Sequence, residues 1–188
     1  SAKLFPLDRT NRRVTMLDPK TGKYTALETC FQTHHLQFGY DKNDTLWTSS
    51  GGGTGVVGWL NLKLYEETGD AARSQGWTPL ILDTNGNGKR DEYTEPNQPL
   101  DPNKDQRLQQ VFYAVMPNPA DNSVWGTIRR NPGSVVRLEP GSNPSETALA
   151  EIYHVPMPGY GPRGGDIDSK GVVWVSLASG HLGAFDRR

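Results

Sequence analysis

Residues 83–92 read DTNGNGKRDE, and their order is that of a cation loop rather than of a plain linker. Oxygen-bearing side chains stand at the first, third and fifth places (Asp83, Asn85, Asn87). Gly88 at the sixth allows a sharp turn, and acidic residues follow within four places. Ca²⁺ prefers such a cage of hard oxygens, so Asp83, Asn85, Asn87, the Lys89 carbonyl and Asp91 or Glu92 are the candidate ligands. Thr94 occupies the twelfth place, where an EF-hand has a bidentate glutamate, and an apolar run rather than a helix precedes the loop. Two asparagines in place of aspartates lower the ligand charge and with it the affinity. Asn-Gly is also a strong plain turn signal, so a metal-free turn is the alternative. The expected role of Ca²⁺ here is structural, to order the surrounding segment.

A second group of candidates is His34, His35 and Arg163. His34 and His35 precede the alternating run Leu36, Phe38, Tyr40. Neighbours on a strand point to opposite faces, so one of the two is expected to line a given surface. Arg163 stands at the corresponding place of a later repeat, ahead of Asp166 and Asp168, and Phe112 and Tyr113 stand at that of a middle one. A histidine there could act as a general base, with Arg163 steadying developing negative charge. The alternative is that all three are satisfied polar residues at structural junctions. His154 and His181 read as surface or structural residues, and Cys30, the one cysteine, as a buried inert thiol. Gly-x-Ser-x-Gly, His-Glu-x-x-His and P-loop patterns are absent. The glycine run 51–55 is followed by no expected helix, which removes the phosphate-cradle reading.

The elements that must position these residues are short strands. With 21 glycines and 14 prolines in 188 residues and a hydrophobic fraction of 34%, the chain suits strands joined by tight turns. An apolar strand, a polar turn and a return strand bearing one tryptophan recur three times, around Trp47, Trp125 and Trp174. RVTMLDPKTGKYTAL (residues 13–27) and GSVVRLEPGSNPSETALAEIYHV (133–155) read as outer hairpins of the same unit. A repeat of roughly 40 to 50 residues with several strands and a tryptophan is the pattern of a β-propeller blade. The fold class is therefore all-β: about four propeller blades of four-stranded antiparallel sheet, one of them incomplete, in a single partial domain over residues 1–188. A β-sandwich with chance tryptophan spacing is the alternative. In a propeller the innermost strand borders the central channel, where His34 or His35, Tyr113 and Arg163 would sit. The five tryptophans are expected to anchor packing.

Residues 63–107 do not follow the strand grammar and are expected to be an insertion carrying the calcium loop. Missing blades would leave sheet edges open, so other chains or further blades are expected partners. A formal net charge of −1 with scattered basic residues argues against nucleic acid and anionic membranes, and no apolar run is long enough to span a bilayer.

The phrases LWTSS–GGGTGVVGWLN, SVWGTI…GSVVRLEP and GPRGGDIDSKGVVWVSLASGHLGAFD resemble those of the streptogramin lyase (virginiamycin B lyase) family of bacterial propellers. The resemblance covers most of the chain outside the insertion, and it implies a part of a longer, secreted or periplasmic protein. Shortened calcium loops of bacterial extracellular proteins, which residues 83–92 are similar to, imply the same compartment. The family opens a cyclic depsipeptide ester by elimination, using channel-facing histidines and acidic residues with Mg²⁺. Its acidic partner and second histidine have no clear counterpart here. Two functions follow: a ligand- or partner-binding extracytoplasmic propeller module with a calcium-stabilised insertion, or a lyase-like enzyme using His34 or His35, Arg163 and Mg²⁺.

Overall fold

A computed structural model describes residues 1–50 and 55–188. The first unit is a hairpin of β1 (Arg13–Leu17) and β2 (Tyr24–Glu28). Its turn is closed by Asp18, whose carboxylate accepts the Lys20 N–H at 2.9 Å and the Thr21 hydroxyl at 2.7 Å. Gly22 completes it at φ +69°, a left-handed conformation that a β-carbon would strain.

The second unit is a four-stranded antiparallel sheet of β3 (Leu36–Phe38), β4 (Thr45–Ser49), β5 (Val56–Asn61) and β6 (Gln75–Pro79), in that order. Between β5 and β6 lies the helix α1 (Leu62–Thr68). Asn61 caps it by accepting the Leu64 N–H at 3.0 Å, and Gly69 ends it at φ 65°. The expected insertion at 63–107 is corrected here. Its first part is the helix and outer strand that complete this blade, because Gly76 and Trp77 pair with Trp59 and Gly58. Only the part after Pro79 lies outside the four-stranded plan.

That remainder forms β7 (Ile81–Leu82), β8 (Tyr93–Thr94) and β9 (Asp105–Arg107). The third unit follows as β10 (Val115–Pro117), β11 (Val124–Ile128), β12 (Ser134–Glu139), the short helix α2 (Pro144–Thr147) and β13 (Leu149–His154). β7 pairs in parallel with β13, so the insertion continues the third unit outward into a seven-stranded sheet. The fourth unit is β14 (Pro162–Ile167), β15 (Val173–Leu177) and β16 (Leu182–Phe185), three strands in sequence order. The chain is all-β with the sheet order of propeller blades.

Register makes the repeats equivalent. Trp47, Trp125 and Trp174 each stand one residue beyond the pair that closes the first turn: Phe38 with Leu46, Pro117 with Val124, Ile167 with Val173. Apolar faces meet between successive units. Val14 and Leu27 of the hairpin pack on Leu46 and Leu60. Trp47 and Val57 pack on Val115, Val124 and Val136. Met116, Trp125 and Val135 pack on Ile167, Val173 and Val175.

A polar latch repeats across the same seams. The Ser49 hydroxyl, two residues after Trp47, accepts the His35 N–H at 3.0 Å and donates to the Tyr113 carbonyl of the next unit at 2.8 Å. Thr127, two residues after Trp125, accepts the Ala114 N–H at 3.1 Å and donates to the Arg163 carbonyl at 2.6 Å. Ser176 is the corresponding residue of the last unit. Its hydroxyl turns back on its own β14, to the Gly164 carbonyl at 2.9 Å.

Candidate functional site

His34 and His35 stand in a bend immediately before β3, and both side chains are exposed. The backbone there is tied to β4 by the His34 N–H to the Ser49 carbonyl and the Ser49 N–H to the His35 carbonyl, each at 2.9 Å. Because the bend interrupts strand alternation, the expectation that the two rings face opposite ways fails. Their centroids lie 4.4 Å apart, edge to face, and both approach the Tyr113 ring, at 5.2 and 4.8 Å. Tyr113 comes from the segment leading into β10, which the Ser49 latch holds against the first full blade. Arg129, just past the end of β11, stacks its guanidinium 5.0 Å from the same ring. Two imidazoles, a phenol and a guanidinium from two adjacent blades thus form one cluster.

Partial desolvation, and then the charge on neighbouring His34, hold the His35 imidazole below its ordinary pKa of 6.5. His35 therefore favours its neutral form near neutral pH. Arg163 takes the backbone place in β14 equivalent to Tyr113, through the Thr127 latch on its carbonyl. No hydrogen bond, ion pair or ring contact joins its side chain to either histidine among the described residues. The guanidinium that does reach the cluster is Arg129, which sequence reasoning missed. It lies in a turn, and blade stacking rather than local pattern brings it to Tyr113.

The cluster does not fit a Mg²⁺ site. Mg²⁺ requires oxygen ligands, chiefly carboxylates, and no group of three or more His, Cys, Asp or Glu side chains is placed to hold a metal among the described residues. Cys30 is free and buried, and burial raises its thiol pKa, which agrees with an inert role. Residues 51–54 of the glycine run lie outside the described residues.

The loop at Asp83 is folded on itself. The Asp83 carboxylate accepts the backbone N–H groups of Gly86, Asn87 and Gly88 at 2.7, 3.2 and 2.8 Å. Asp91 Oδ2 accepts both amide groups, from Asn85 at 3.0 Å and Asn87 at 2.6 Å. These two bonds lower the Asp91 pKa. Asn85, Asn87 and Asp91 therefore meet at one point, and rotating either amide about its terminal bond would turn an oxygen toward it. The side chains fit an oxygen-ligated cation to that extent. Glu92 points elsewhere, pairing with Lys104 at 2.9 Å. Asp105 accepts the Asp91 N–H at 2.8 Å and fixes the loop to β9.

No family model and no curated protein sequence matches the chain. Among solved structures it is similar to PorZ, an essential bacterial surface component of the type-IX secretion system of Porphyromonas gingivalis. That match has 12% identity and a TM-score of 0.53, and it covers 92% of this chain and 22% of PorZ. Virginiamycin B lyase from Staphylococcus aureus aligns at 13% identity and a TM-score of 0.43, over 93% of this chain and 63% of the lyase. A streptogramin B lyase structure aligns at 15% and 0.40, over 93% and 62%. The chain thus spans about a fifth of PorZ and under two thirds of either lyase. At these identities the likeness is one of fold: the chain is built as propeller-like blades.

Proposed function

We propose that the chain is a module of an extracytoplasmic β-propeller that binds a ligand at the end of the blades where His34, His35, Tyr113 and Arg129 meet, with an insertion ordered by Ca²⁺. The observation that carries this reading is the cluster itself. Four side chains of binding-competent chemistry converge from adjacent blades, the exposed His34 and His35 and Tyr113 from equivalent strand entries and Arg129 from the turn after β11. Polar and aromatic groups gathered at the mouth of a repeat fold are a common form of small-molecule site. A shortened calcium loop suits compartments where Ca²⁺ is plentiful, which supports the extracytoplasmic part of the proposal. Further blades are the proposed partners, since Trp174 is 41% exposed where Trp47 and Trp125 are 7% and 1% exposed.

The test is a thermal-shift screen of neutral, cationic and anionic small molecules against the wild-type chain and Tyr113→Ala. Compounds that raise the melting temperature of the wild type and lose that effect in Tyr113→Ala support the site. Hits unaffected by Tyr113→Ala, or none at all, refute it.

A further inference from the structure

Carboxylates are unevenly placed between the two ends of the blades. At one end the chain enters each innermost strand and turns between the second and third strands of each unit. Besides residues 1–12, which carry Asp8, the segments there include 29–35, 108–114, 129–133, 155–163 and 178–181. These later segments contain His34, His35, Arg129, Arg130, Arg163 and His181, and no aspartate or glutamate. The chain as a whole holds 21 acidic against 20 basic residues, so the carboxylates are gathered elsewhere. Turns at the opposite end carry Asp18, Asp41, Asp44, Asp121 and Asp168. The carboxylate of Glu95 is paired with Arg107 at 3.0 Å. Arg129, Arg130 and Arg163 form no ion pair among the described residues.

Two of these cations flank a cavity of about 150 Å³ whose other polar walls are Gln109, Gln110 and Tyr113. Guanidinium, amide and phenol groups all donate hydrogen bonds, and planar guanidinium forks match the geometry of carboxylate and phosphate oxygens. We propose that this cavity binds an oxyanion, the carboxylate or phosphate group of a small molecule, with Arg129 and Arg130 as the charged donors and Tyr113, Gln109 and Gln110 as neutral ones. The proposal rests on the ligand-site reading above and gives that site its ligand class. None of these segments supplies a carboxylate to Arg129 or Arg130, so an entering anion meets no ion-paired competitor for them among the described residues.

Isothermal titration of the 188-residue chain with inorganic phosphate, and separately with citrate, tests it. The two arms distinguish a phosphate from a carboxylate ligand. Saturable binding of at least one anion is expected. It should weaken by about tenfold or more in the double variant Arg129→Gln/Arg130→Gln, the loss of one charge-assisted hydrogen bond. Arg129→Lys/Arg130→Lys should retain part of the affinity, and the melting temperature of each variant reports whether the fold survives. Arg130→Gln alone, which leaves the Tyr113 stack intact, should also weaken binding. Unchanged affinity in both glutamine variants, or no saturable binding of either anion, overturns the proposal. Should neutral compounds still depend on Tyr113 in the thermal-shift screen, the ligand site stands and its anionic class falls; should they not, both fall.

Discussion

At the scale of single residues, His35 is the group whose chemistry the fold alters in a way that can be measured directly. Partial desolvation and the adjacent His34 charge both disfavour its imidazolium, so its folded pKa lies below the 6.5 of an unstructured histidine. A lowered histidine pKa means that the unfolded chain binds more protons in the intervening window. Its contribution to stability is therefore present above pH 6.5 and declines as pH falls from there to the folded pKa. Proton NMR titration should place the His35 ring midpoint below 6.5, and His34→Gln should move it upward. A midpoint at or above 6.5 in the wild type would contradict the assignment. The sequence marked His34 and His35 as candidates because of residue type, but strand periodicity alone separated them. A bend before β3 cancels that periodicity, and a bend of this kind has no signature in His-His-Leu-Gln-Phe.

At the scale of elements, the insertion after Pro79 is built of very short strands: β7 and β8 have two residues each and β9 three. Asp105, wholly buried, holds the Asp91 N–H, so the loop and the small strands are mechanically linked. If Ca²⁺ occupies the loop, adding it should raise the melting temperature, since a ligand bound by the native state alone stabilises it by about 2.7 kcal/mol at a hundred times its Kd. For a chain of this size each kcal/mol is worth roughly 2–4 °C. EDTA should reverse the shift and Asp83→Asn/Asp91→Asn should remove it. Melting curves indifferent to Ca²⁺ and EDTA would leave the loop as an Asn-Gly turn held by Asp83. Legibility was uneven at this scale. The first outer hairpin follows from Asp18-Pro19 and Gly22, whereas β6 was hidden because Gln-Gly-Trp-Thr-Pro has neither alternation nor a flanking turn signal. Pairing with β5, not local propensity, makes it a strand.

For the whole molecule, the repeated hydroxyl latch is what ties one blade to the next at the inner strands. Ser49 and Thr127 are fully buried, each bridging two units. Removing either hydroxyl leaves a carbonyl without its donor at the seam, at a cost of about 1–3 kcal/mol. Thr127→Val and Ser49→Ala should each lower stability by that amount in chemical denaturation. Ser176→Ala, whose hydroxyl is exposed and bonded within its own unit, should change it by less than about 0.5 kcal/mol. Equal losses at all three positions would show that the latch carries no inter-blade role. A further blade packed on Trp174 would make Ser176 behave like the other two, so the same substitution made with such a partner present reports on that contact.

The amino-acid sequence by itself determined the repeating unit. Tryptophan on a return strand, polar turns before it and Gly or Pro at the corners are local chemistry, legible wherever the period of a strand or the geometry of a turn is set by neighbours in the chain. It also determined that residues 83–92 would form a tight loop rich in oxygen-bearing side chains. Only the tertiary structure decided which residues make the site. Arg129 and Tyr113 meet His34 and His35 because blades stack through apolar faces and the Ser49 latch, contacts between residues 64 positions apart. The uneven placement of carboxylates was likewise invisible in a net charge of −1. Alternating strand direction sends successive turns to opposite ends, so turns with and without carboxylates are sorted in space only when the sheets form.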